Sequence, residues 1–234
     1  VFIEMDADTQ EQLISAFSDK ELKEIIDELY LDDAVDLVEE MPANVVKRIL
    51  KNTDPETRKS INELLKYPED SAGSIMTIEY VSLRIKMTVN EAIKRIRRTG
   101  VDKETIHTCY VIAETRELLG MISLRTLLLA DEEATVEELM DTNPVFVKTH
   151  DDKEEVARSF EKYDLIAMPV VDDENRLVGI VTVDDAIDVL TEEATEDIEK
   201  MAAITPSDRP YMKTGAFDIY KARIPWLLLL MLSS

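Results

Sequence analysis

With 234 residues, 45% of them apolar, the chain can fill two or three small cores and is too apolar to be disordered. Its 50 Asp and Glu against 27 Lys and Arg give a formal net charge of −23. That balance excludes nucleic acid, whose phosphates it would repel; it suits cations or basic partners, or serves solubility alone. Cys109 is the single cysteine, so no internal disulfide and no thiolate metal site can form, which fits a reducing compartment. The first residues, VFIEMDADTQ, carry neither the basic start nor the apolar core of a secretory leader, so none is expected.

From Asp19 to Tyr67 the apolar spacing is helical. DKELKEIIDELY places Leu22, Ile25, Ile26 and Leu29 on one face, with Asp19 as the expected N-cap. LDDAVDLVEEM follows, then PANVVKRIL opening on Pro42, then DPETRKSINELL opening on an Asp54-Pro55 cap pair. Short helices joined by turns of a few residues predict either stacked helical hairpins in a small superhelical domain or an ordinary bundle. The tail of an earlier helix is expected within residues 1–16.

From Gly73 onward the period shortens. YVSLRI, HTCYVIAE, LLGMISL, PVFVKT, AMPVVDD and LVGIVTV read as strands, and VNEAIKRIRRTG and KEEVARSFEKYD as helices. The segments also repeat. Met76 aligns with Met140, Val81 with Val145, Ala92 with Val156 and Ile96 with Phe160, an offset of 64. After a five-residue insertion around TGVDKET the offset becomes 59, aligning Val111 with Val170, Gly120 with Gly179 and Ser123 with Thr182. Two β-α-β-β-α units related by a pseudo-twofold are predicted.

The most acidic region runs from Asp131 to Lys200, with 23 Asp and Glu against six Lys and Arg. A long helix is predicted from Asp184 to Ile204, with Val183, Ile187, Leu190, Ala194, Ile198 and Met201 as its apolar stripe. Asp185, Asp188, Glu192, Glu196 and Glu199 run down another face. Each like-charge pair at this spacing costs about 0.2–0.5 kcal/mol, and few lysines relieve it. A hard divalent cation would. Mg2+ takes oxygen ligands, keeps several waters, and binds one or two carboxylates directly. His107 and His150 are far apart in sequence and form no zinc pattern, and no EF-hand loop occurs. Nor is there a nucleophile–base pair or a phosphate-cradling glycine loop, so an enzyme is not expected.

The last stretch, RIPWLLLLMLSS, is different. Ile224 to Leu232 would span only about 14 Å as helix, against the roughly 20 apolar residues that a bilayer core needs. It reads either as a buried tail or as the first turns of a membrane helix cut short. Lys221 and Arg223 stand before it as on a cytoplasmic side, and Trp226 stands at the interface position.

AMPVVDDENRLVGIVTVDDAIDVL resembles a CBS domain, and the duplication makes it a tandem CBS pair. YPEDSAGSIMTIEYV resembles the junction between the helical N domain and the CBS pair of MgtE-type magnesium channels, ATEDIEKM the segment leaving that pair, and ARIPWLLLLML the start of the first membrane helix. The resemblance implies a helical superhelical N domain over 1–68, CBS domains over 69–134 and 135–190, and a connecting (plug) helix over 184–204. It further implies a juxtamembrane linker over 205–223 and a truncated membrane helix over 224–234. It implies a regulatory region on the cytoplasmic face of the cell membrane that closes on high internal Mg2+, acting on its own transmembrane domain, and CBS pairs commonly form homodimers. Carried over by motif, the Mg2+ residues are Asp32 and Asp36 in the N domain and Asp152, Glu154 and Asp164 in the second CBS copy. On the connecting helix they are Asp185, Asp188, Glu193, Glu196 and Asp197. CBS pairs also bind adenine nucleotides through a G-h-h-[ST]-x-x-D pattern. The second copy has Gly179, Thr182 and Asp185; the first has Gly120, Ser123 and Thr126, with Arg125 available for a phosphate. An ATP-sensing module is therefore the alternative to an Mg2+ sensor.

Overall fold

The computed structural model describes Met5 and residues 7–201, so the expectations for the linker over 205–223 and the membrane segment over 224–234 lie outside the described residues. The N-terminal part is all helix: α1 (Ala7–Ala16), α2 (Asp19–Glu28), α3 (Leu31–Glu40), α4 (Ala43–Asn52) and α5 (Pro55–Leu64). Packing skips neighbours, with α2 against α4 and α3 against α5. The caps follow the sequence with one shift. Asp54 accepts from the Glu56 and Thr57 amides ahead of Pro55, as expected. For α2 the cap is Ser18 rather than Asp19: Ser18 has extended dihedrals, and Glu21 reaches back to its amide at 2.8 Å to close a capping box.

Two similar units follow. The first holds β1 (Val81–Arg84), α6 (Val89–Thr99), β2 (Thr108–Ile112), β3 (Leu118–Ser123) and α7 (Leu124–Leu129). The second holds α8 (Val136–Leu139), β4 (Val147–Lys148), α9 (Lys153–Tyr163), β5 (Ala167–Val171), β6 (Leu177–Thr182) and α10 (Val183–Met201). Each sheet runs in chain order, a parallel pair followed by an antiparallel pair. The duplication extends to detail: Val111 pairs with Gly120 and Val170 with Gly179, and both ladders slip at the next residue. The hairpin tips join through Glu117 and Arg176, and Tyr110, Ile112, Ala167, Leu177 and Ile180 fill the apolar space between the copies.

The segment leading into each copy pairs with the other. Thr77, ahead of the first copy, bridges Ile180 on β6; Asp141, ahead of β4, bridges Met121 on β3. Both receiving strands carry glycine at the crossing. A Cβ on Gly120 would lie 2.3 Å from the Asp141 carbonyl oxygen, and one on Gly179 would lie 2.8 Å from that of Thr77. The stretch from Ser71 to Thr77 is stitched to the second copy, Ala72 and Gly73 donating to the carbonyls of Asp151 and Thr149. One apolar core accordingly runs from Leu22, Val35 and Ile49 of the helical part through Met76 into Val156, Phe160, Val181 and Val189 of the second copy. The first copy has its own core around Leu83, Ala92, Val111 and Leu127.

On α10 the buried side coincides only in part with the expected stripe, of which Val183 and Leu190 pack against the core. Ala186 and Val189 are buried, while Ile187 and Ile198 are each 55% exposed. The helix seats against α9 along the Ala186–Val189 line, and the ideal spacing alone could not show which of two overlapping stripes meets a neighbour.

Arg48 of α4 ties the first helices together. It donates to the Ile14 carbonyl at 2.6 Å, to the Phe17 carbonyl, and to Asp19 at 3.0 Å, satisfying carbonyls at the end of α1 that have no helical partner. Arg48→Ala is expected to cost about 2 kcal/mol in urea unfolding, with Arg48→Lys restoring only part, because charged hydrogen bonds to backbone are stronger than neutral ones and lysine lacks the fork.

Candidate functional site

Three separate segments bring carboxylates to one place, where the helical part meets the CBS units. Helix α3 supplies Asp32 and Asp33 in its first turn. The loop inserted in the first copy supplies Glu104, whose amide donates to the Glu79 carbonyl at 3.0 Å. The first turn of α10 supplies Asp184 and Asp185. Asp32 is only 8% exposed although it is a carboxylate in an acidic chain. Glu79 accepts from the Leu31 amide at 3.4 Å and so touches the start of α3 directly.

The electrostatics follow from that crowding. Burial, and then the Glu104 carboxylate, push Asp32 up to about 7. Burial, followed by Asp184, Asp185, Glu79 and Asp33, pushes Glu104 up to about 7, and its Oε2 is buried with no hydrogen-bond partner. Burial and then Asp32 push Asp185 up to about 7, against the lowering effect of the Thr182 hydroxyl, which donates to it. Burial also raises Glu79. Hard oxygen donors of this kind suit Mg2+. Among the described residues no three His, Cys, Asp or Glu side chains converge tightly enough to hold a metal ready-made.

A second gathering lies along α9 and α10. Burial, and then the Glu154 carboxyl facing it, raise Glu193, and Glu196 adds to the shift. Arg158 pairs with Glu154 at 2.8 Å and Lys200 with Glu196 at 2.7 Å, so this group is partly neutralised from within, and Asp197 also lies within reach of Lys200. Asp152 is the N-cap of α9, accepting from the Glu154 and Glu155 amides at 3.0 and 3.2 Å. Asp164 sits in left-handed conformation at the far end of α9, exposed, and Asp36 and Asp188 are exposed.

The structure thus brings Asp32 and Asp185 together, and separately Glu154, Glu193 and Glu196. Sequence reasoning missed Glu104, Glu79, Asp33 and Asp184. Glu104 had a signal, since it lies in the insertion that only one repeat carries. Glu79 had none.

For a nucleotide, the two copies differ. In the first, Ser123 and Arg125 are exposed, and Ser123 caps α7 by accepting from the Thr126 amide. In the second, Thr182 is 5% exposed and its hydroxyl and amide both donate to Asp185. These bonds join the two motif residues to each other at the start of α10.

Asp32, Glu104 and Asp185 have higher pKa values folded than unfolded. Their contribution to stability is therefore full below the ordinary carboxylate range and is lost as pH rises through about 7. In chelator at fixed ionic strength, the melting temperature should rise as pH falls from about 8 to about 5, and the rise should be smaller in Asp32→Asn/Glu104→Gln. Calorimetry showing the same slope in wild type and double variant would contradict this.

No described helix is long and apolar enough to cross a membrane. Residues 1–70 match the family described as MgtE intracellular N domain, and residues 72–133 and 136–192 match the CBS domain. The chain is 45% identical over 203 residues to magnesium transporter MgtE of Thermus thermophilus, covering 87% of this chain and 45% of that protein. It is 40% identical over 200 residues to magnesium transporter MgtE of Bacillus subtilis, covering 86% of this chain and 44% of that protein. The chain therefore spans less than half the length of these relatives. Among solved structures, the cytosolic domain of the Mg2+ channel MgtE in complex with ATP superposes with a TM-score of 0.77 at 42% identity, covering 81% of this chain and 77% of that one. The soluble part of a magnesium transporter gives 0.70 at 30% identity, covering 82% and 90%. A helical domain, a duplicated CBS unit and the order in which they follow each other all agree: the chain belongs to the MgtE family of magnesium transporters, of which it carries the N domain and the CBS pair.

Proposed function

We propose that this chain is the cytosolic Mg2+-sensing region of a magnesium channel or transporter. The observation that carries the reading is the crowding of Asp32, Glu104 and Asp185, which come from the N domain, the first CBS copy and the connecting helix. Without cation these carboxylates repel and favour separation of the N domain from the CBS pair. With Mg2+ the charge is neutralised and the docked state gains. The ion shifts the balance because ligands from separate segments meet only when docked. The acids of α9 and α10, with Asp36, Asp152, Asp164, Asp188 and Asp197, serve in this reading as further cation positions, and α10 carries the change toward the membrane part that follows at the cytoplasmic face. Mg2+ then limits its own uptake by stabilising a closed state.

Adenosine triphosphate is a second ligand in this reading. It is supported by the similar MgtE cytosolic domain solved with ATP and by the exposure of Arg125 beside Ser123. If nucleotide were the main input, ATP would bind strongly at low Mg2+ and the cation would not compact the chain.

The chain is further proposed to pair with a second copy. Val101 and Leu128, 81% and 60% exposed, line an apolar cavity of about 300 Å3 between α6 and α7, and Leu129, next along the chain, is 77% exposed. Leu128 and the exposed Ile187 occupy the same position in the two repeats, so both units present apolar surface on matching helices.

Small-angle scattering across a Mg2+ titration tests the sensor. Millimolar Mg2+ should shrink the wild type, and Asp36→Ala and Asp188→Ala should respond less. Superimposable profiles in chelator and in excess Mg2+ would sink the reading. Sedimentation tests the pairing: Leu128→Asp/Leu129→Asp, both surface changes, should turn a dimer into a monomer with its helix content intact.

A further inference from the structure

The duplication places the same backbone contact at the start of the long helix in each CBS copy. In the first, Thr88 bridges Thr135, and the Val89 amide donates to the Ala134 carbonyl at 2.9 Å. In the second, Asp152 bridges Ser71, and the Lys153 amide donates to the Asp70 carbonyl at 3.1 Å. The side chains are where the copies part. Val89 is 1% exposed and belongs to the first core, against which Ala134 packs. Lys153 instead brings an ammonium group on a side chain only 19% exposed, with Nζ 3.9 Å from the Asp70 carboxylate.

Locally this is a poor place for a lysine. It is the first residue of α9, where the helix dipole favours anions, and burial strips water from its charge. The surrounding acids account for it. Glu69 and Asp70 lie on the linker that leaves the N domain, and Glu39 lies in the last turn of α3. Burial and then Glu69 raise the Glu39 carboxyl, while Lys153 lowers it. The linker is seated at the same place: Ser71, Ala72 and Gly73 are buried, and the last two donate to the carbonyls of Asp151 and Thr149 at 2.7 and 3.0 Å. Helix α3 therefore has two unlike ends, about 10 Å apart at 1.5 Å per residue. Asp32 at its start has no basic partner among the described ion pairs, whereas its last turn lies within electrostatic reach of Lys153.

We infer that Lys153 is a built-in counterion of the N domain, so that the linker edge of its contact with the second CBS copy stays closed without divalent cation and serves as the hinge on which the N domain swings. One edge carries its own cation; the edge at Asp32 must take one from solution. Loss of Mg2+ then opens the second edge while the linker keeps its seat. This rests on the reading that cation docks the N domain, and its test separates the two.

Hydrogen exchange of the Ala72 and Gly73 amides, with scattering across a Mg2+ titration of the full chain, tests the hinge. In chelator these amides should exchange at least tenfold faster in Lys153→Met than in the wild type, with Lys153→Arg close to wild type. The Mg2+ midpoint of compaction should rise at least threefold in Lys153→Met, and saturating Mg2+ should bring its exchange back to within threefold of wild type. Asp70→Asn changes a side chain that is 87% exposed, so it tests the same contact should Lys153→Met fold poorly, and it should speed exchange in chelator by a smaller factor. Equal exchange in chelator for wild type, Lys153→Met and Asp70→Asn would overturn the inference, even with Mg2+ compaction intact. So would protection lost equally in chelator and in Mg2+, or Lys153→Arg behaving as Lys153→Met does, since packing and not charge would then be at work. If no form compacts in Mg2+, cation-driven docking fails, while the tenfold difference at Ala72 and Gly73 still supports the counterion.

Discussion

Carboxylates held out of water next to other carboxylates are costly, and the junction between the N domain and the CBS pair is built from them. Asp32, Glu104 and Asp185 arrive on three segments that are far apart in sequence, and each is pushed up to about 7, by burial first and by neighbouring carboxylates after it. Burial penalises the charged form, and like charges add to the penalty. No lysine or arginine is paired with any of the three among the described ion pairs. The contrast with α10 is informative. Along its later turns Arg158 of α9 and Lys200 neutralise part of the charge locally, which the buried junction at its first turn lacks among the described ion pairs.

Against this repulsion stands an apolar core that joins the same two parts. It passes from Val35 and Ile49 through Met76 to Val156 and Val181, bypassing the first CBS copy. The linker from Ser71 to Thr77 makes the bypass possible, because its backbone bonds to the second copy on both sides, at Thr149 and Asp151 and at Ile180. Hydrophobic contact holds the parts near each other while charge opposes the last approach. A balance of that kind is responsive, because a modest change in charge is enough to shift it.

The duplicated units show how a repeat acquires separate roles without changing fold. Each receives the lead-in segment of the other, and each keeps glycine where that segment crosses. The differences lie at the rim. One copy has an insertion bearing Glu104 and lacks the aspartate at Thr126; the other keeps Asp185. Steric fit forces the shared features, since any side chain at Gly120 or Gly179 would strike backbone. No such constraint acts at the rim, which is free to diverge.

Much of this was legible along the chain. Apolar spacing marks the helices, alternation marks the strands, and aligned positions such as Val111 with Val170 reveal the duplication, because these patterns arise from contacts within a few residues or from copied cores. The cap pair Asp54-Pro55 is equally local. The motif positions also named Asp32 and Asp185, but nothing in the sequence said that these two would meet, or that Glu79 and Glu104 would join them. Nor could spacing say that α10 buries Ala186 and Val189 while Ile187 and Ile198 face out. The sequence by itself determined the elements, their order and the excess of negative charge. Only the tertiary structure decided which acids are crowded together and which CBS copy shares a core with the N domain, because burial and charge proximity depend on segments that come together in space and not along the chain.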